Sequence, residues 1–305
     1  MHSQPALLPP NPLADLTRPQ RDRLAFVELR ARFIGEIGRQ DLVARFGIQT
    51  AAASRDLALY RAIAPGNIEY DTKARTYIGA APYKPVFDFA PERVLSWLAQ
   101  GYADGEPIRL KGPLPHEGSR LPYRLDLELL AVLSRAIHQG KPVEVSYRSL
   151  SSGLTTREII PFALADSGLR WHVRAFDRRS GAFRDFALGR FEAARLTRGA
   201  VAEHERADRD IQWNRIAELE LVPHPDNVQH RDSIEAEYGM ENGVLKIQLR
   251  AAMAGYLLRR WNVDCTEDHS LTVAEYQLWL RNRLALYGVT NLVLAPGYGA
   301  EATED

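Results

Sequence analysis

Gln49, Thr50, Ser54 and Arg55 stand within seven residues of one another, among Ala51, Ala52, Ala53 and Ala58. At helical spacing, Ala53, Leu57 and Tyr60 turn inward, and Ala51, Arg55 and Ala58 turn outward with Ser54 and Ala52 at the flanks. An outward face of small residues with one arginine lies close in a major groove. There Arg55 can make a bidentate contact to guanine and Gln49 can pair with adenine, each worth about 1–3 kcal/mol of discrimination. Arg39 on the preceding helix, with Lys73 and Arg75 farther on, supply cations for the phosphates that position such a protein.

The elements that carry these residues are short and regular. Residues 1–17 are proline-rich and read as a flexible arm; helical pattern begins near Arg21. Leu24, Val27, Leu29, Phe33 and Ile34 form the apolar side of that helix, and Arg21, Arg23, Arg30 and Arg32 are left for solvent or phosphate. The stretch GRQDLVARFGIQTAAASRDLALYR follows as a short helix, a turn at Gly47 and a longer helix, the grammar of a helix-turn-helix. In NIEYDTKARTYIG two strands flank a turn at Asp71–Arg75, so a β-hairpin wing carries Lys73 and Arg75 at its tip. Residues 81–139 read as a helical connector, with helices around Val94–Leu98 and Leu125–Ile137.

The period then changes to two. PVEVSY, Thr155–Ile160 ending at Pro161, RWHVRAF and AFRDFAL make at least four antiparallel strands, a small twisted sheet or barrel. Alternation sends Trp171, Val173 and Ala175 into the core, and His172, Arg174 and Phe176 to an available surface. Residues 201–305 return to mixed structure: LELVPHP and GVLKIQLR as strands, RDSIEAEYG, AMAGYLLRRW and LALYG as helices.

Composition bounds the function. The 305 residues are 45% hydrophobic and 26% charged, which fits a soluble multidomain protein. No apolar run is long enough to span a membrane and no signal sequence opens the chain, so a cytoplasmic, membrane-free protein is expected. The 39 basic and 39 acidic residues cancel, but unevenly. Residues 1–80 hold 11 basic against 8 acidic, 140–200 hold 11 against 6, and 201–305 hold 10 against 18. The basic modules suit phosphates and the acidic one a protein contact. Enzyme chemistry finds no support: GxxxxGK[ST], HExxH and GxSxG are absent, and PGYGA lacks a strand-to-helix context. His172 near Asp177 with several serines is what any protein of this size contains. His224 and His230 read as exposed loop histidines, and Cys265 as a buried side chain without zinc-ligand neighbours, so neither a metal nor a cofactor is expected.

YRSLSSG, REIIP, RWHVRAF and FRDFALGR, in that order, resemble the WYL-domain regulators. GRQDLVARFGIQTAAASRDL and NIEYD resemble the subgroup of CapW and BrxR type, repressors associated with bacterial anti-phage defence clusters. The name-giving Trp-Tyr-Leu is here Trp171, His172 and Val173. The resemblance implies four parts: a winged helix-turn-helix (1–80), a helical connector (81–123), a ligand-sensing WYL domain with an SH3- or Sm-like barrel (124–200) and a C-terminal αβ dimerisation extension (201–305). It implies a homodimer on an inverted-repeat operator of double-stranded DNA, repressing a phage-defence operon. To His172 and Arg174 it adds Tyr147, Ser149, Arg157, Arg184 and Arg190, cations interleaved with aromatics and hydroxyls, a mixture suited to a nucleotide or single-stranded nucleic acid. The rival reading is a nucleic-acid sensor or RNA-binding protein without operator specificity.

Overall fold

A computed structural model describes residues 13, 15–80, 82–101 and 125–298, which divide into two compact units, one through residue 139 and one from residue 140 on. Residues 102–124, part of the expected connector, and most of the proline-rich arm lie outside the described residues.

The first unit opens with α1 (Arg18–Leu29), where the backbone N–H of Thr17 donates to Gln20 Oε1 and a proline occupies the first turn. The helix runs into a π turn, Arg30–Ile34, closed by Gly35 at φ 99°. A two-residue strand, β1 (Glu36–Ile37), precedes α2 (Arg39–Phe46) and α3 (Thr50–Ile63), with Gly47 at φ 63° ending α2. The hairpin of β2 (Ile68–Asp71) and β3 (Thr76–Gly79) follows, and β1 adds to it as a third strand in the order β1-β3-β2. Gly79 is obligatory there: its N–H donates to Gly35 O at 2.8 Å, and a Cβ would lie 2.1 Å from Ala31 O.

Glu28, fully buried, ties the chain after the wing to the helices. It accepts hydrogen bonds from Tyr60 Oη at 2.8 Å, Val86 N at 3.0 Å and Phe87 N at 3.1 Å. Burial pushes its carboxyl above the usual carboxylate range, against those bonds. The helix α4 (Pro91–Gln100) sets Trp97 edge-on against Phe26. The helix α5 (Leu127–Gln139), grouped on sequence with the strands that follow it, packs in this first unit, where Ser134 Oγ donates to Phe33 O at 2.7 Å and Arg32 pairs with Glu128 at 2.5 Å.

The second unit holds two sheets. The first comprises β4 (Val143–Ser149), β5 (Gly153–Asp166), β6 (Trp171–Asp177), β7 (Ala182–Ala187) and β8 (Phe191–Leu196), all antiparallel in the order β7-β6-β5-β4-β8. The edge strands β7 and β8 share no ladder among the described residues. Strand β5 does not end at Pro161 as expected: the register shifts between Pro161 and Ala163, so the missing N–H falls at a bulge and the strand continues to Asp166.

Beyond it, α6 (Ile211–Asn214) is capped by Asp210, which accepts from the N–H groups of Gln212 and Trp213. Then come β9 (Ile216–Pro223), α7 (Arg231–Tyr238), β10 (Leu245–Arg250), α8 (Ala251–Arg260), β11 (Val263–Asp264) and β12 (Leu278–Leu280), the strands ordered β10-β9-β12-β11. Their core joins Leu219, Leu221, Leu258, Leu278 and Leu280 with Cys265. LALYG, expected as a helix, contributes a single 3-10 turn at Arg283–Leu286. No helix among the described residues is long and apolar enough to cross a membrane.

Candidate nucleic-acid face and ligand pocket

In α3 the buried stripe is Ala53, Asp56, Leu57 and Tyr60, and Ala51, Arg55 and Ala58 are exposed. Asp56 is the only acidic residue of the helix and it faces inward, where Arg23 Nε meets its carboxylate at 2.6 Å. The outward face therefore keeps its positive charge. Gln49 sits exposed at the N-cap of α3 and its side chain does not fold back to cap the helix, while Ser54 Oγ donates to Thr50 O at 3.0 Å. Arg39 is exposed at the first turn of α2. At the wing, Asp71 Oδ1 accepts from the N–H groups of Lys73 and Ala74 at 2.7 and 3.0 Å, and Arg75 at φ 54° completes the turn, so both cations project from a fixed tip. Sequence reasoning overlooked Arg61, exposed on the last turn of α3 with its guanidinium 5.9 Å from the Tyr77 ring.

The basic face expected of α1 is corrected. Arg23 is spent on Asp56, Arg30 on Asp41 at 3.2 Å and Arg32, itself buried, on Glu128. These arginines hold helices together, because each partner comes from an element that local periodicity does not connect.

The second unit carries a pocket of about 800 Å3 lined by Tyr147, Ser149, Arg157, Arg174, Arg184 and Arg190 together with Asp185, Phe183, Phe186, Asp210, Gln212, Tyr256 and Thr290. Six of the seven residues named from sequence thus meet in one cavity. His172 does not line it: it is buried behind, its ring 5.0 Å from that of Tyr256, and burial lowers its pKa. The expected open surface of His172, Arg174 and Phe176 is covered as well, by Tyr256 of α8, by Asp210 and by His204, whose ring lies 5.4 Å from that of Phe176. Both faces of β6 are therefore inside.

Arg174 is held by two carboxylates through all three of its guanidinium nitrogens. Its Nε and Nη2 reach the two oxygens of Asp210 at 2.8 and 3.1 Å, and Nη1 reaches Asp185 Oδ1 at 3.1 Å. Arg157 Nη1 pairs with Asp177 at 3.0 Å and Nη2 donates to Thr155, with the guanidinium 5.7 Å from the Tyr147 and Phe186 rings. Tyr147 Oη accepts from Ala187 N, and Ser149 Oγ accepts from Ser151 N and Ser152 N. Arg184 is exposed and donates through Nε to Ser180 at 2.8 Å; Arg190 is half-buried. Asp210, Gln212, Tyr256 and Thr290 escaped the sequence reading, although Asp210 before IQWN has the form of a helix cap; Asp185, readable from sequence as a salt-bridge partner for these arginines, pairs with Arg174 and lines the pocket as well.

His224 is corrected too. It is buried, with Nε2 3.1 Å from Asp264 Oδ2 and Nδ1 accepting from Asp226 N and Asn227 N; only His230 is exposed. Its ring organises a loop, and two backbone donors fill the nitrogen that a metal would need.

A helix-turn-helix with a three-stranded wing, followed by a sheet that walls a basic pocket, defines a winged-helix transcriptional regulator with a WYL domain. Residues 19–100 match the BrxR transcriptional regulator winged helix-turn-helix domain, 128–196 the WYL domain, and 216–286 the BrxR transcriptional regulator C-terminal dimerization domain. The chain is 34% identical over 278 residues, 88% of its length and 91% of theirs, to the DNA-binding transcriptional repressor CapW of Escherichia coli (strain KTE188). It is 35% identical over 273 residues (87% and 89%) to CapW of Pseudomonas aeruginosa, and 32% over 259 residues (80% and 84%) to CapW of Stenotrophomonas maltophilia. The chain belongs to this CapW and BrxR family of transcriptional regulators.

Proposed function

We propose that this chain is a sequence-specific DNA-binding transcriptional repressor, acting as a homodimer on an inverted repeat and released when a nucleotide or single-stranded nucleic acid enters the WYL pocket. The observation that carries the DNA reading is the outward face of α3, which carries no carboxylate because the one acidic residue of the helix, Asp56, turns inward onto Arg23. On it Gln49 and Arg55 read base edges with Thr50 and Ser54 beside them, and Arg39, Lys73 and Arg75 hold phosphates. The relatives are DNA-binding transcriptional repressors and the matched C-terminal family is a dimerization domain, which supports the homodimer. Two recognition helices then meet successive major grooves about 34 Å apart, a spacing that a change in dimer geometry would break. The resemblance to repressors of defence clusters supports a phage-defence operon as the regulated unit.

The test is binding of the purified chain to the DNA upstream of its own gene, titrated against salt and against a scrambled duplex of equal length. A repressor shows strong preference for one inverted repeat and a steep salt dependence. Equal binding of both duplexes would sink the operator reading in favour of a nucleic-acid sensor.

A further inference from the structure

We propose that the pocket sorts its ligand by base: Arg184 and Arg190 hold the phosphate at the rim, and Asp185 on the floor accepts a hydrogen bond from an exocyclic amine, so that amine-bearing bases such as adenine and cytosine are taken and thymine, which has none, is disfavoured. The inference rests on the reading of the pocket as a nucleotide site.

The charges are arranged in depth. Of the five arginines that line the cavity, Arg157 is paired with Asp177, Arg174 with Asp210 and Asp185, and Arg209 with Glu203. Arg184 and Arg190 have no carboxylate partner among the described residues, and they are the exposed and half-buried ones. On the floor one cation, Arg174, is shared by two carboxylates, so the deepest part of the cavity carries an excess of negative charge. A phosphate is repelled from that floor and drawn to the rim. The side chains of Arg174 and Asp210 are 6% and 2% exposed and that of Asp185 is 11% exposed, so the floor strengthens any hydrogen bond made there.

The two carboxylates differ in what they have left. Asp210 Oδ1 takes Arg174 Nη2, Gln212 N and Trp213 N, which fills it, and its Oδ2, on a side chain only 2% exposed, takes Arg174 Nε, whereas Asp185 is the more exposed of the two and has both oxygens singly engaged. Asp185 Oδ1 takes only Arg174 Nη1 and Oδ2 only Tyr256 Oη at 3.1 Å, and a carboxylate oxygen has room for a second donor. The exocyclic amino groups of adenine, cytosine and guanine supply that donor; thymine has none, and the carbonyl it presents in place of the cytosine amine meets a like partial charge. Tyr256, backed by His172, and Phe183 offer rings for the base. A volume of about 800 Å3 lies within the range of sites for small ligands, so one or two nucleotides are the relevant size.

The experiment is calorimetric titration of the full chain with the 5′-phosphorylated dinucleotides pdApdA, pdCpdC and pdTpdT. The first two are expected to bind at least tenfold tighter than the third. Arg184→Ala with Arg190→Ala weakens all three at an unchanged ratio, and Asp185→Asn brings the ratio to near unity. Because Asp185→Asn also loosens Arg174, Tyr256→Phe serves as the second variant: it takes one donor from Asp185 and leaves the preference intact or larger. Equal affinity for all three, lost together in the arginine variant, overturns the base selection and leaves the nucleotide reading standing. If none of the three binds, both fall.

Discussion

Replacing Arg55 with alanine takes away the one basic side chain on the first two turns of α3 and touches nothing in the core, since Arg55 is exposed. Operator affinity is expected to fall by about tenfold or more, from about 1–3 kcal/mol of lost base contact, with no change in the melting temperature; an unchanged gel-shift titration would remove Arg55 from the reading face. Arg174→Ala acts differently, because it strands Asp210 and Asp185, two inward carboxylates, without their cation. Breaking a buried pair from one side costs about 3–5 kcal/mol, so the second unit should melt early in calorimetry whatever happens to ligand affinity. A variant that keeps wild-type stability would show that the fork is not what holds the pocket floor. These two arginines also mark what a sequence can reveal at this scale. The direction of Arg55 follows from the period of its own helix. One partner of Arg174, Asp185, stands opposite it on the next strand of the same hairpin and is within reach of a sequence reading; the other, Asp210, lies 36 residues away, across a change of element, and no local pattern announces it.

Most helices and longer strands were legible because each repeats its apolar residues over several turns or pleats; the single-turn α6 and the strand β8, FEAARL, offer no such repeat and were not read. The strands β1, β11 and β12 are two or three residues long and have no period to detect; they exist because a neighbouring strand offers unpaired backbone groups. Pro161 misled for a related reason, since a proline ends a regular ladder but is tolerated at a bulge. At the element scale the sharpest expectation concerns Gly79, the seat of β3 against the π turn. In Gly79→Ala the added Cβ meets the backbone oxygen of Ala31 at 2.1 Å, an atom that cannot swing aside, so the wing must shift. A loss of about 1–3 kcal/mol or more is expected, as for overpacked cores, read as an earlier unfolding of the first unit and weaker operator binding. An unaltered melting curve would mean that the contact between β3 and the π turn is looser than its geometry.

Across the whole molecule the net charge cancels, with basic residues gathered in the first and middle segments and acidic ones after residue 200. That sorting was readable by counting; the union of the sheet of β4–β8 with the C-terminal segments in one compact unit was not, because it depends on non-local pairs such as Arg174–Asp210 and Tyr256–Asp185. If the chain works as a homodimer, operator occupancy should rise with protein concentration more steeply than a simple hyperbola, in step with the dimer seen by sedimentation. A hyperbolic curve from a species of monomer mass would contradict the homodimer. The sequence contains one cysteine, and Cys265 lies fully buried with its thiol pushed up to about 12. The thiol is out of reach of solvent, and burial disfavours the thiolate that would react. The wild-type chain is therefore silent to maleimide dyes, and a cysteine placed at Ala58 or Lys73 would be labelled alone. With no prior removal of native thiols, the distance between the two reading heads of a dimer becomes measurable by energy transfer, on and off DNA.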